Sequence, residues 1–200
     1  RGNVAAAREE LRAARGGDID VTYVGSWFDH PRFIETNARH LEAAIQRLPA
    51  EVQHAAKIVF TAHSIPVSMA DASRYREQLE ASARAVAERL GREWALVFQS
   101  RSGRPGDPWL EPDVCHYLRQ AHAAGVRAVA LSPIGFVCDH IEVLYDLDHE
   151  AAGVCRDVGL PMVRAAAVND DPLFIDMMAD VVAATVRRYA GTPLPLTRTP

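Results

Sequence analysis

The apolar residues of this chain fall into two alternating spacings, and the switches between them divide it into elements. Residues 4–15 carry helical spacing, with Gly16-Gly17 as the stop. Ile19, Val21, Tyr23 and Val24 make a β-rich run that ends at Gly25-Ser26-Trp27. Asp29 suits a helix N-cap and Pro31 a first helical turn. Phe33, Ile34, Ala38, Leu41, Ile45 and Leu48 then form one apolar stripe that stops at Pro49. Residues 57–62 read as a second strand running into His63-Ser64-Ile65-Pro66, and Pro66 bars its continuation in a central position. A helix is predicted from about Asp71 to Leu90, closed by Gly91. Residues 94–99 are a third strand, 113–124 a helix ending at Gly125, and 126–131 a buried fourth strand. A helical pattern follows to Val158 and Gly159, then a last strand over 160–166 and a helix over 173–189.

Five strands alternating with helices predict an α/β fold with a doubly wound parallel sheet. Residues 1–190 are expected to form the α/β domain, and 191–200 a Pro/Thr-rich tail with little to pack. Ligands of such sheets bind beyond the carboxyl ends of the strands. Those ends carry Trp27, His63, the Pro-rich stretch 99–112 with Trp109, the segment 132–142, and Val168-Asn169-Asp170.

Composition narrows the partners. The 200 residues carry a formal charge of −4 with both signs interspersed, so neither nucleic acid nor an anionic membrane is invited. No apolar run reaches bilayer length. The three cysteines, Cys115, Cys138 and Cys155, lack zinc-knuckle or redox spacing, which suggests a reducing, cytoplasmic setting. The chain opens Arg1-Gly2-Asn3, and it is expected to be a piece of a longer one. Nucleotide-binding glycine motifs and a nucleophile-elbow serine are both missing.

The chemistry concentrates after residue 131. Glu142, Asp146 and Glu150 recur every fourth residue, which on a helix lines three carboxylates along one face. Like charges at that spacing repel, so the row suits a cation better than it suits a helix. Asp139 and His140 add donors at its start, although helix capping accounts for them nearly as well. His63 ends a buried strand on the same predicted edge, and an imidazole is both a ligand for divalent iron and a proton acceptor near neutral pH.

These segments resemble those of the ferrochelatases, including the bacterial coproporphyrin ferrochelatases. The matching stretches are 26–31 (Ser-Trp-Phe-Asp-His-Pro), 60–66 (Phe-Thr-Ala-His-Ser-Ile-Pro), 98–100 with 107–112, and 133–146, in the family's order and over nearly the whole chain. The resemblance implies a Rossmann-like chelatase domain that inserts Fe(II) into protoporphyrin IX or coproporphyrin III in haem biosynthesis. It implies His63 and Glu142 as the facing metal and proton-transfer groups, without dividing the roles between them. Asp146 and Glu150 would form an acidic row behind Glu142, with Asp139 and His140 supporting it. Trp27, Ser64, Trp109 and Phe136 are candidates for the walls of the porphyrin cleft. The family's N-terminal half would be missing here, so the chain is read as the C-terminal portion, and activity of the fragment alone stays open. The tail lacks the cysteines that hold a [2Fe-2S] cluster in some members, so none is expected. A sirohydrochlorin-type chelatase and a non-catalytic porphyrin- or metal-binding fragment are the competing readings.

Overall fold

The computed structural model describes residues 2–15, 22–104 and 106–189. They fall into two compact units, one of residues 28–177 and one of residues 1–27 with 178–200. In the smaller unit, helix α1 (Gly2–Arg15) is mostly exposed along its described side chains. The glycine stop at 16–17, part of the 19–24 run, and the 191–200 tail lie outside the described residues.

The larger unit begins at Phe28. Helix α2 (Pro31–Ile45) and the short α3 (Ala50–Gln53) precede strand β1 (Ala56–His63). Helices α4 (Val67–Asp71) and α5 (Tyr75–Leu90) lead to β2 (Trp94–Gln99), and α6 (Val114–Ala123) leads to β3 (Ala128–Ser132). A helical stretch follows in three parts: α7 (Ile141–Val143), a π-helical segment (Leu144–Ala151) and α8 (Ala152–Val158). Strand β4 (Met162–Arg164) comes next, and α9 (Pro172–Tyr189) starts in this unit and continues in the other.

Among the described residues the strands pair in parallel, in the order β2-β1-β3-β4. From β1 the chain steps outward to β2, then crosses to the other side of β1 to place β3. Right-handed crossovers in opposite directions put their helices on opposite faces. Accordingly α2 and α5 cover one face, while α6, the π segment and α8 cover the other. Strand side chains alternate. Val59, Val97, Val129 and Leu131 face the second layer, where they meet Leu118, Val143, Leu147 and Val154. Counting on by twos, Thr61 and His63 share the face of Val59, and Gln99 that of Val97. The fold therefore aims His63 and Gln99 at the layer that carries the acidic row.

Four strands stand among the described residues where five are predicted. Tyr23 and Val24 of the first predicted run are exposed and lie outside any strand. β-rich composition sets a propensity, but a strand also needs a face to bury. The last strand is shorter than its apolar run and keeps only Met162–Arg164. The helix predicted from about Asp71 starts at Tyr75, and the short α4 (Val67–Asp71) precedes it. His30, not Asp29, caps α2, and its Nδ1 accepts the Arg32 N–H at 3.2 Å. The residue before a proline is held extended, as an N-cap must be, so the cap falls at 30. Among the described residues no helix is long and apolar enough to cross a membrane.

The helix predicted after residue 140 departs from α geometry over Leu144–Ala151. An i→i+5 turn is wider than an α turn and is frequent at functional sites. Burial of Val143, Leu147 and Ala151, all fully enclosed, offsets its poorer bonding. A fully buried Val or Leu contributes about 1.5–3 kcal/mol.

Candidate functional site

The site forms where β1 ends and the chain crosses from one side of it to the other. His63 is the last residue of β1, and its carbonyl accepts the Tyr75 hydroxyl at 3.0 Å. Burial pushes the Tyr75 phenol above its ordinary range, which keeps that hydroxyl a donor. The His63 Nδ1 lies 2.5 Å from the Ser64 carbonyl oxygen. A carbonyl only accepts, so Nδ1 carries a proton in this arrangement, and in the neutral ring Nε2 presents a lone pair.

Nε2 faces Glu142 Oε2 at 3.8 Å. That is too long for a hydrogen bond. With donor–metal bonds of about 2.0–2.2 Å, one divalent ion could touch both atoms across this gap. The two side chains are 34% and 51% exposed, so the gap is open to a ligand from outside. Among the described residues no three His, Cys, Asp or Glu side chains are grouped to hold a metal. A pair of donors leaves most of an ion's coordination sphere to water or to other ligands.

Glu142 stands in the first turn of α7, whose cap is His140: its Nδ1 accepts the Glu142 N–H at 3.3 Å. His140 also stacks edge-on against Phe136 at 5.2 Å between ring centroids. One turn beyond Glu142, Asp146 is drawn toward β2. Gln99 Nε2 donates to its carboxylate at 3.2 Å and reaches the Glu142 carbonyl at 3.5 Å, while the Ser100 hydroxyl donates to the same Asp146 oxygen. Ser100 achieves this with φ at 60°, a backbone region that non-glycine residues rarely occupy. The Gln99 Oε1 and Thr61 Oγ1 atoms are buried without a protein partner. Glu150 is exposed and lines a surface cavity of about 520 Å³ with Asp113, Cys115, Tyr145 and His149. Asp146 is thus held and Glu150 is free to reach outward, though the sequence reads them as equivalent.

The remaining candidates divide. Asp139 accepts from Arg164, from the Ala167 N–H and from Asn169, so it anchors the loop before Glu142. Ser64 is buried with its hydroxyl committed to the Leu110 carbonyl at 2.8 Å, and Phe136 is buried in the core under α7. Neither presents surface to a ligand here, because the motif positions that suggested them carry no information on burial. Trp109 is half-buried beside the site, bridged to Pro66, with its ring pressed on Gly103. Trp27 belongs to the smaller unit, where it is half-buried. Gln99, Ser100, Tyr75 and Arg164, which contact or brace these groups, are not singled out by the sequence. Gln99 and Ser100 carry two signals, their position at a strand end and their place in the matching stretch 98–100.

Cys138 is exposed, whereas burial pushes the Cys115 and Cys155 thiols up to about 11. Asp113 and Glu150 add to the effect at Cys115, and Cys115 itself adds to it at Cys155. Both are neutral groups when protonated, and the folded state resists their ionisation. Between the ordinary thiol value near 8.5 and the folded value, the unfolded chain releases protons that the folded chain keeps, so stability falls as pH rises. Below that window the contribution is complete. Urea unfolding at pH 8 and pH 10 is expected to show a smaller loss for Cys155→Ala than for the unsubstituted protein, and equal losses would refute the assignment.

A family model described as ferrochelatase matches residues 2–186. The coproporphyrin III ferrochelatase of Streptomyces coelicolor is 46% identical over 172 residues, which cover 78% of this chain and 46% of that protein. The ferrochelatase of Rhodopirellula baltica is 44% identical over 195 residues, covering 96% of this chain and 54% of that protein. This chain therefore spans about half the length of the curated relatives it matches. Among solved structures, the sirohydrochlorin chelatase SirB from Bacillus subtilis subspecies spizizenii, in complex with cobalt, superposes with a TM-score of 0.61 at 9% identity. That superposition covers 95% of this chain and 64% of SirB, and it shows a shared fold.

Proposed function

The chain belongs to the ferrochelatase family, and we propose that its His63–Glu142 pair serves the insertion of ferrous iron into a porphyrin. The observation that carries this reading is the 3.8 Å approach of His63 Nε2 to Glu142 Oε2 at the open end of β1. A free-base porphyrin holds two N–H protons in its ring. Entry of one divalent ion releases both, so charge balances only if two protons are taken up. The reaction therefore needs a metal donor and a proton acceptor on the same spot, and an imidazole opposite a carboxylate supplies both.

In this reading His63 Nε2 and Glu142 Oε2 would hold Fe(II) until the ring nitrogens take it, and the two atoms, once freed of the ion, would take up the pyrrole protons. Asp146, oriented by Gln99 and Ser100, stands one turn behind to accept a proton from Glu142. Glu150 extends the route toward solvent. Nitrogen and oxygen donors without thiolate hold Fe(II) loosely enough to release it.

Several of the relatives are named coproporphyrin III ferrochelatases, which favours that porphyrin as substrate. Anaerobic Fe(II) insertion by the native enzyme that carries this chain is expected to turn over coproporphyrin III faster than protoporphyrin IX. Faster turnover of protoporphyrin IX would reverse the substrate assignment. Porphyrin binding with no metallation of either would overturn the reaction.

A further inference from the structure

We propose that Arg164 is a positioning residue for metal insertion: its guanidinium clamps Asp139 and Asp148, the carboxylates on either side of Glu142 and Asp146, and so fixes where those two acids present their oxygens. The proposal rests on the reading of Glu142 as a group of the reaction.

Arg164 is the last residue of β4, paired in register with Leu131 of β3, so its stem stands on the sheet. The side chain is 14% exposed. Its Nε and Nη2 donate to the two oxygens of Asp148 at 2.7 and 2.8 Å, a bidentate fork. Nη1 turns the other way, to Asp139 Oδ1 at 2.8 Å and to the Ala165 carbonyl at 3.1 Å. One planar cation thus joins the loop before α7 to the middle of the π segment.

The Asp139 end is tied down further. Ala167 N–H donates to Oδ1 at 3.2 Å and Asn169 Nδ2 to Oδ2 at 3.0 Å, while the Asp139 N–H donates back to Asn169 Oδ1 at 2.9 Å. Asn169 holds φ at 45° to make this exchange, a region that Asn tolerates better than most residues.

The clamp matters because of what lies between its jaws. The i→i+5 bonding of Leu144–Ala151 is a departure that local propensity does not sustain. It is held from both edges of the sheet, by Gln99 and Ser100 of the β2 side acting on Asp146 and by Arg164 of β4 acting on Asp148. If the Asp148 tether is lost, the segment can relax toward α geometry. That change alters the rotation between Glu142 and Asp146 and moves Glu142 relative to His63. Lysine cannot substitute in full, because an ammonium is a point charge and cannot fork to one carboxylate while bonding a second.

The test uses Arg164→Ala and Arg164→Lys in the native enzyme, read by hydrogen exchange and by metal insertion. In the alanine variant, exchange over residues 140–151 is expected to rise about tenfold or more, with β1 and β3 unchanged, because the opening is local. Misplacement of a reacting group by about 1 Å can cost 10²-fold, so kcat should drop about 10- to 100-fold while KM for porphyrin stays within about twofold. Added methylguanidinium should restore part of the lost rate in the alanine variant, and lysine should fall between alanine and arginine. Unchanged exchange over 140–151 would overturn the clamp whatever the activity. Unchanged kcat beside an active parent would overturn its role in positioning. An inactive parent would count against the metal-insertion reading instead, and exchange would still decide the clamp.

Discussion

Glu142→Gln is expected to slow metal insertion by about 10²- to 10⁴-fold, the usual worth of a positioned general base, and to leave porphyrin affinity near that of the parent. The substitution keeps the side chain's shape and removes its charge and its capacity to take a proton. It spares the fold, because the carboxylate is half-exposed and the bond that caps α7 runs through the Glu142 backbone N–H. His63→Ala should cost a comparable factor. The tie that holds the end of β1 also uses backbone, the His63 carbonyl under Tyr75, so it survives the change. Steady-state Fe(II) or Zn(II) insertion, beside a porphyrin fluorescence titration, separates loss of chemistry from loss of binding. Turnover within a few-fold of the parent in either variant would remove that residue from the reaction.

Gly135→Ala should damage both stability and activity, although the residue has no functional group. A Cβ there would sit 2.5 Å from the Cβ of Ala62 and 2.8 Å from its Cα. Ala62 belongs to the central strand and is fully buried, one residue before His63, so it cannot retreat. The Gly135 N–H also donates to the Thr61 carbonyl at 3.1 Å, which pins the loop at this approach. The loop must lift, and it is the loop that leads to Glu142. Overpacking of this kind costs about 1–3 kcal/mol. For a chain of this size that lowers Tm by about 2–4 °C per kcal/mol. Residual turnover at a temperature where the variant is fully folded should still be depressed, since the 3.8 Å pairing depends on the loop. Gly25→Ala is the control, because nothing lies within 4 Å of a Cβ at that position. Equal Tm values for the two variants would contradict the packing argument.

The sequence disclosed most where one residue type at one spacing carries the physics. Apolar, β-rich runs marked β1 to β3, and the ends of those runs marked the candidate site. His63 and the 142/146/150 row were legible for the same reason: polar groups stood where the pattern required an apolar strand or a neutral helix face. The π segment was not legible. Carboxylates four apart fit α spacing, and nothing in that spacing marks an i→i+5 turn or the bonds of Asp148 to Arg164 and of Asp146 to Gln99 and Ser100. Arg164 itself looks like any basic residue after a short apolar run until β4 and the returning π segment bring two acids to it. Ser64 and Phe136 show the converse: they sit inside motifs that point to function, yet their side chains are enclosed. The first predicted run makes the same point, since Tyr23 and Val24 carry the propensity of a strand but stand exposed and outside any strand.

His63 and Glu142 are expected to act as one centre, and a double-mutant cycle on metal insertion measures that coupling. Residues that work as a unit lose most of their effect once either is gone. The kcat of His63→Ala/Glu142→Gln is therefore predicted to match that of the slower single variant. Losses that multiply, so that the double variant is slower than either single by the full factor of the other, would contradict it.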